Sequence, residues 1–119
     1  MPKLLVVDDA AYVRLRLARL LMQNGYEVIE AGDGKEAIAR YQEDKPDGVL
    51  LDIVMPEMDG MAALKELRAL DENARVVMLT SLHEQSTVMD AIRSGAIDFV
   101  VKPFDDQRLL AIVKKMVGG

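Results

Sequence analysis

Short apolar runs alternate along this chain with longer stretches in which apolar residues recur at every third or fourth position. The short runs predict buried β-strands, and the periodic stretches predict amphipathic helices. Five strands are predicted, at residues 4–7, 27–31, 49–52, 76–80 and 99–101, and each is followed by a predicted helix. Strands that alternate with helices are typical of an α/β fold, in which helices cover both faces of a parallel sheet.

Polar turn residues mark the ends of the predicted helices. These signals are Asn24 with Gly25 after the first helix, Asp33 with Gly34 before the second, Gly95 after the fourth, and Asp105 or Asp106 before the fifth. The fourth helix, at about residues 84–94, is predicted to turn Val88, Ala91 and Ile92 toward the sheet. No repeat, low-complexity tract or linker interrupts the pattern, so a single domain over residues 1–119 is predicted.

Composition and charge argue against several classes of protein. The net charge of −5 and the pI near 4.8 disfavour a basic nucleic-acid-binding surface. The absence of cysteine excludes disulfides and suits a reducing cytoplasm, where we expect the protein to act. No apolar run approaches the roughly 20 residues that span a bilayer, and the first residues lack the apolar region of a signal peptide. We therefore expect no membrane association.

Charged and hydroxyl side chains follow or end four of the five predicted strands. Because ligand sites in an open parallel sheet lie outside the carboxyl ends of the strands, these side chains are expected to meet at one edge. They are Asp8 and Asp9 after the first strand, Asp52 at the end of the third, Thr80 at the end of the fourth and Lys102 after the fifth. Three carboxylates, a hydroxyl and an ammonium in one place indicate phosphoryl chemistry on a metal ion.

Carboxylates that lie close together need a counter-charge. Two ionised carboxylates 4 Å apart repel each other by about 4 kcal/mol at an effective dielectric constant near 20, and a divalent cation removes this cost. Oxygen ligands without histidine or cysteine favour Mg²⁺. Asp52 stands alone on a buried central strand and is the best candidate for a nucleophile that forms an acyl phosphate. Lys102 and Thr80 could supply the positive charge and the hydrogen bond that phosphoryl oxygens require.

These residues, in this order, closely resemble the receiver domains of two-component response regulators, in the short single-domain form of the chemotaxis regulators. The shared motifs are Val6-Val7-Asp8-Asp9, Asp52, Met55-Pro56 with Asp59-Gly60, Thr80-Ser81, and Val101-Lys102-Pro103-Phe104. The resemblance implies a doubly wound, flavodoxin-like fold with a five-stranded parallel sheet of order 2-1-3-4-5 and five flanking helices. It also implies a signalling switch, not an enzyme with a separate substrate. Such a switch accepts a phosphoryl group from a histidine kinase and then changes its affinity for a partner.

The resemblance assigns the acidic residues to phosphorylation and to metal binding. Asp52 is expected to accept the phosphoryl group. The side chains of Asp9 and Asp52 are expected to bind Mg²⁺ directly. The backbone carbonyl of Val54 would add a ligand, and Asp8 would act mainly through water.

Three further residues are assigned by the resemblance to the response. Lys102 is expected to contact the phosphoryl oxygens, and its peptide bond to Pro103 is expected to be cis. Thr80 is expected to move toward the phosphoryl group, and the ring of Phe99, which replaces a tyrosine common in chemotaxis regulators, to turn inward with it. A phosphoryl group adds roughly −1.5 to −2 of charge, which is enough to bias a two-state loop and helix.

The resemblance also places the partner surface on the fourth helix, the last strand and the final helix. This predicted surface includes His83, Glu84, Asp90, Arg93, Phe99, Val101, Lys114 and Lys115. The target itself is not readable from the sequence, and a free-standing regulator, a phosphorelay intermediate and the receiver of a longer regulator all remain open. A monomer and a phosphorylation-dependent dimer also remain open, because some receivers dimerise through this surface.

Two apolar positions bear on how long the phosphoryl group persists. Val54 and Leu82 lie two residues beyond Asp52 and Thr80, at positions that the resemblance implies influence dephosphorylation. Apolar side chains there would orient an attacking water poorly, so slow self-dephosphorylation is predicted. Two other functions are less favoured. An unphosphorylated adaptor would not need the acidic set, and an Mg²⁺-dependent phosphohydrolase with an aspartyl nucleophile would need an insertion to enclose its substrate.

Overall fold

A computed structural model describes residues 1–55, 58–81 and 85–118, with the side chain of Gln85 excluded. Its elements, in chain order, are β1 (Lys3–Val7), α1 (Ala11–Gln23), β2 (Glu27–Ala31), α2 (Gly34–Asp44), β3 (Gly48–Asp52), α3 (Gly60–Leu70), β4 (Val76–Thr80), α4 (Gln85–Arg93), β5 (Asp98–Val101) and α5 (Asp106–Met116). The five strands form one parallel sheet of order β2-β1-β3-β4-β5. The predicted fold class and strand order are therefore confirmed.

The register of the strands brings their carboxyl ends to one edge of the sheet. Val7 at the end of β1 pairs with Leu51 of β3, and Thr80 at the end of β4 pairs with Val101 of β5. The residues that follow β1 and β3 therefore leave the sheet side by side. The chain order reverses between these two strands, and in open α/β sheets such a reversal forms a crevice that binds ligands.

The sheet separates two apolar layers. Buried residues of α2, α3 and α4 pack on one face, and buried residues of α1 and α5 pack on the other. All five residues of β3 and of β4 are buried, which explains why these strands are continuous apolar runs in the sequence. Full burial of one leucine or valine stabilises the fold by about 1.5–3 kcal/mol, so burial of these two strands contributes strongly to the stability of the sheet.

Aspartates cap several of the helices. Asp33 and Asp59 accept hydrogen bonds from backbone amides in the first turns of α2 and α3. At the start of α5 the sequence left two candidates, and the structure selects Asp105, whose carboxylate accepts from the Arg108 amide at 3.0 Å. The Asp106 carboxylate instead accepts from Arg16 of α1. A cap of this type contributes about 1 kcal/mol to helix stability.

One prediction for α4 is wrong. Val88 and Ala91 are buried as expected, but Ile92 is 39% exposed. The buried face of α4 is a narrow stripe, and Ile92, one position beyond Ala91, lies outside it. Gly95 follows the helix with φ of +112°, a conformation that L side chains rarely adopt, as expected for a C-terminal cap. The predicted start of this helix near residue 84 lies outside the described residues.

No helix in the described part of the chain combines the length and apolarity needed to cross a bilayer.

Candidate functional site

Asp8 follows β1, and its backbone N–H and both of its carboxylate oxygens form hydrogen bonds. Its backbone N–H donates to the carbonyl of Ala31 at 3.2 Å, which extends the ladder with β2 by one residue. Its Oδ1 accepts from the Ala10 amide at 2.9 Å, and its Oδ2 accepts from Lys102 Nζ at 3.2 Å. The residue is completely buried, whereas its neighbour Asp9 is exposed. The pair therefore offers one fixed carboxylate and one that faces solvent.

Asp52 ends β3 with only 5% of its surface exposed. Its carboxylate accepts a hydrogen bond from the Val54 amide and lies 3.3 Å from Lys102 Nζ. Its backbone packs against the start of α3, where a Cβ added at Gly60 would collide with the Asp52 carbonyl oxygen. Gly60 also donates its N–H to the Ile53 carbonyl at 2.7 Å, so the absence of a side chain allows this close approach.

Lys102 links the two buried carboxylates. Its ammonium lies 3.2 Å from Asp8 Oδ2 and 3.3 Å from Asp52 Oδ1, and a quarter of its side chain is exposed. Its backbone N–H donates to the Thr80 carbonyl at 2.6 Å, and its peptide bond to Pro103 is cis, as the resemblance implies. The Thr80 hydroxyl is buried and donates to the carbonyl of Ser81 at 3.1 Å. The structure therefore brings Asp8, Asp52 and Lys102 into contact, with Thr80 on the adjacent strand.

The charge on Asp52 is unfavourable in this structure. Burial, and then the negative charge of Asp8, raise the pKa of Asp52 from 3.8 to about 6. The Lys102 ammonium and the Val54 amide act in the opposite direction and only partly offset these effects. Asp52 is therefore ionised at neutral pH, but its negative charge is only partly balanced by the groups around it.

Lys102 is held in its charged form by the same carboxylates. Burial disfavours its ammonium, but the charges of Asp52 and Asp8 and their hydrogen bonds together outweigh burial and raise the pKa of Lys102. One ammonium among three carboxylates leaves two negative charges in excess. A divalent cation would neutralise that excess.

The donor set fits Mg²⁺. Asp8, Asp9 and Asp52 each offer a carboxylate oxygen, and these oxygens lie within 4.8 Å of one another. Mg²⁺ binds oxygens at about 2.0–2.1 Å, so opposite ligands of one ion are about 4 Å apart. Small side-chain adjustments, or a bridging water at one carboxylate, would complete such a site. Within the described residues this is the one cluster of potential metal ligands, and it contains no histidine or cysteine.

Phe99, which is predicted to respond to phosphorylation, lies two residues before the end of β5. Phe99 of β5 pairs with Met78 of β4 and packs partly buried against the apolar layer that contains α4. Val54 is 61% exposed beside Asp52. Pro56 of the shared motif and Leu82 lie outside the described residues.

The predicted partner surface is described only in part. Asp90 and Arg93 form an exposed ion pair at 3.6 Å, Val101 is partly buried, and Lys114 and Lys115 are exposed near the end of α5. His83 and Glu84 lie outside the described residues. The sequence did not indicate that Met89 and Ile97 are 54% and 50% exposed, on and just after α4.

Sequence reasoning also missed Arg14. This residue of α1 donates from Nη1 to the backbone carbonyl of Asp8 at 2.6 Å. Its Nε donates to Glu30 of β2 at 3.1 Å. Nothing in the spacing of Arg14 marks this contact. The adjacency of β2 to β1 could have suggested it, because that order places Glu30 beside the first helix.

Comparison with known proteins identifies the family. A family model described as "Response regulator receiver domain" matches residues 4–114. Chemotaxis protein CheY of Bacillus subtilis (strain 168) is 47% identical over 114 residues, which cover 95% of each chain. Chemotaxis protein CheY of Thermotoga maritima is 44% identical over 115 residues, which cover 96% of each. The crystal structure of the receiver domain of NtrX from Brucella abortus superposes with a TM-score of 0.93 at 34% identity, over 97% of this chain and 98% of that one. This chain therefore belongs to the receiver domain family of two-component response regulators and is similar to CheY.

Proposed function

We propose that this protein is a phosphorylation-activated switch whose phosphoacceptor is Asp52. The observation that supports this most directly is the double contact of Lys102. Its ammonium lies within 3.3 Å of a carboxylate oxygen of buried Asp8 and of buried Asp52. This arrangement leaves Asp52 ionised but poorly compensated, and places a cation where phosphoryl oxygens would need one.

The donor that we propose is a phosphohistidine of a sensor kinase. A carboxylate oxygen of Asp52 would attack the phosphorus, the P–N bond to the imidazole would break, and a P–O bond would form an acyl phosphate. The released imidazole nitrogen would keep the electron pair of the P–N bond and take up a proton. The Lys102 ammonium would exchange its contact with the Asp52 carboxylate for hydrogen bonds to the phosphoryl oxygens. No second substrate is involved, so the reaction is self-directed.

Asp9 and Asp52 would hold Mg²⁺ through their side chains, together with the Val54 carbonyl, and Asp8 would contact it through water. The ion would supply positive charge against the developing charge on the phosphoryl oxygens. Asp8 has a different task in this proposal. Because its Oδ2 holds Lys102 and its Oδ1 holds the Ala10 amide, it would keep the lysine in place after Asp52 is modified.

The response would begin at Thr80. Its hydroxyl donates to the Ser81 carbonyl in this structure and would have to turn away from that carbonyl to donate to the phosphoryl group. Movement of Thr80 would open space for Phe99, two strand positions away on the neighbouring β5. We propose that the partner surface on α4, β5 and α5 changes in consequence. The exposed Met89 and Ile97 would add apolar area to this surface.

The test is intact mass after incubation with a small phosphoryl donor such as acetyl phosphate, with Mg²⁺ or with EDTA. We expect one phosphoryl group on the wild-type protein with Mg²⁺, and none on Asp52→Ala. Glu66→Gln, which removes an exposed carboxylate on α3, serves as the matched control and should be modified like the wild type. Absence of any addition under all conditions would refute the proposal and favour an unphosphorylated adaptor.

A further inference from the structure

Arg14 holds the loop that joins β1 to α1, and this loop carries two of the three carboxylates of the site. β1 ends at Val7, so the carbonyl of Asp8 lies beyond the last residue of the strand. That carbonyl accepts a hydrogen bond from Arg14 Nη1 at 2.6 Å. The arginine therefore fixes a backbone group just past the end of the sheet.

The carbonyl of Asp8 belongs to the peptide group that connects Asp8 to Asp9. A peptide group is planar, so fixing its oxygen also fixes the direction in which the chain leads to the Asp9 Cα. The Asp8 side chain has its own partners, the Ala10 amide and Lys102. For the exposed Asp9, this peptide plane sets the position of the Cα, from which a carboxylate oxygen lies within 4.8 Å of oxygens of Asp8 and Asp52.

The arginine is itself held in place. Its Nε donates to Glu30 Oε1 at 3.1 Å, and only 21% of its side chain is exposed. Nη1 also lies 3.6 Å from the position that a Cβ would take on Gly32, in the turn after β2. The hydrogen bonds to Glu30 and to the Asp8 carbonyl thus leave the guanidinium little freedom. A planar, forked donor suits this task better than a lysine, which is a single point of charge.

We propose that Arg14 is a positioning residue for cation binding, which orients the Asp8–Asp9 peptide so that the carboxylates converge on one ion. This inference rests on the proposed function, because it concerns the same acidic site. Arg14 does not touch the reacting atoms. Outer contacts that hold metal ligands in place commonly change metal affinity by 10- to 100-fold when they are removed.

Charge alone predicts the opposite result, which makes the proposal easy to test. A guanidinium near an acidic site repels Mg²⁺, so removal of that positive charge would by itself tighten cation binding. The positioning role requires weaker binding. The direction of the change therefore separates the two explanations.

The experiment measures Mg²⁺ affinity of the whole unphosphorylated protein by titration calorimetry. Arg14→Met keeps the apolar stem and removes the donors, and we expect its Mg²⁺ dissociation constant to rise about tenfold. Arg19→Met makes the same change at an exposed position on the same helix, and its affinity should stay within about twofold of wild type. Unchanged or tighter binding in Arg14→Met would overturn the proposal.

A second measurement separates positioning from a general structural role. The rate of phosphorylation by acetyl phosphate is followed against Mg²⁺ concentration. In Arg14→Met the half-saturating Mg²⁺ concentration should rise about tenfold, while the rate at saturating Mg²⁺ stays within about twofold of wild type. A lost maximal rate with unchanged half-saturation would contradict the inference. Urea unfolding checks that the variant folds, and Arg14→Lys replaces it if it does not, with about threefold weaker binding expected.

The outcome also distinguishes failure of this inference from failure of the proposed function. Wild-type protein that binds no Mg²⁺ and gains no phosphoryl group would refute both. Wild-type protein that does both, beside an Arg14→Met variant of equal Mg²⁺ affinity, would refute the role of Arg14 alone.

Discussion

Replacing Asp52 by asparagine should stabilise the cation-free protein at neutral pH. Asparagine keeps the shape of the side chain and an oxygen that can accept from Lys102, but removes a buried negative charge that lies near Asp8. The pKa of Asp52 is about 6 in the fold and 3.8 as its ordinary value. At about 1.4 kcal/mol for each pKa unit, this difference corresponds to about 3 kcal/mol at a pH above both values. Solvent at the open edge of the sheet reduces the figure by screening, so we expect about 1–3 kcal/mol.

The pH dependence follows from the direction of the shift. Because the pKa is raised in the fold, the folded state binds this proton more tightly than the unfolded state does. The stability that comes from neutral Asp52 is fully present below pH 3.8 and is lost as the pH rises through 6. The advantage of Asp52→Asn over wild type should therefore be largest at pH 7.5, fall to about half at pH 5 and to about a fifth at pH 4, and approach zero near pH 3.

The assay is urea unfolding at pH 7.5 and at pH 5 in EDTA, with Glu66→Gln as a control for the loss of an exposed carboxylate on α3. The control should change the free energy of unfolding by less than about 0.5 kcal/mol. Addition of Mg²⁺ at pH 7.5 should narrow the gap, because a cation that binds the folded wild type stabilises it. An Asp52→Asn protein that is no more stable than wild type at pH 7.5 in EDTA would refute the electrostatic reasoning.

Three other predictions follow from single contacts. Tyr41→Phe removes the 2.8 Å hydrogen bond to Asp71 and should lower the free energy of unfolding by about 1 kcal/mol, measured in urea. Burial and then Asp71 raise the pKa of Tyr41 to about 12. The stability that neutral Tyr41 contributes should therefore be present below pH 10 and lost between pH 10 and 12, and Tyr41→Phe should not show this loss. Gly60→Ala forces a Cβ onto the backbone at the end of β3 and should lower the free energy of unfolding by about 1–3 kcal/mol; a neutral result would show that α3 can move outward freely. Val54→Asn combined with Leu82→Glu should shorten the half-life of the phosphoryl group, measured by intact mass. An unchanged half-life would contradict the prediction that the apolar side chains slow self-dephosphorylation.

The central strands were predictable because they are buried on both faces. β3 and β4 are apolar along almost their whole length, and the structure extends β1, β3 and β5 by only one residue each, to Lys3, Gly48 and Asp98. The strand order came from the resemblance to receiver domains. Periodicity alone does not fix which strands are neighbours, because buried strands of a parallel sheet have similar apolar patterns.

Helix details were less predictable, because they depend on packing that the pattern does not contain. Ile92 fits the helical period of α4 and is nevertheless 39% exposed, since the buried stripe of this helix is narrow. Asp105 and Asp106 are equivalent cap candidates in sequence. In the structure Asp105 is the N-cap, and Asp106 instead contacts Arg16 on the first helix, which is distant in sequence, at 3.3 Å.

The candidate site residues were predictable as a set but not as a geometry. Polar residues at strand ends are visible in the sequence, and the parallel topology brings them to one edge. That Lys102 contacts both Asp8 and Asp52, and that Asp9 faces solvent, depends on side-chain directions that no spacing encodes. Arg14 was invisible for the same reason, since its partner is a backbone carbonyl and carries no sequence signal.

The unfavourable charge at this edge links the stability of the fold to its proposed function. Burial, and then the charge of Asp8, disfavour the ionised form of Asp52 in the resting protein, and Lys102 and the Val54 amide offset only part of these two effects. A cation that binds between Asp8 and Asp52 would offset the free-energy cost of the ionised Asp52. The less stable the cation-free fold is for this reason, the more tightly it should bind the cation. A substitution such as Asp52→Asn that removes this charge should therefore weaken Mg²⁺ binding as it stabilises the fold. The same residues cannot be optimised for both, so the proposed Mg²⁺ site would be arranged for cation binding at the expense of stability.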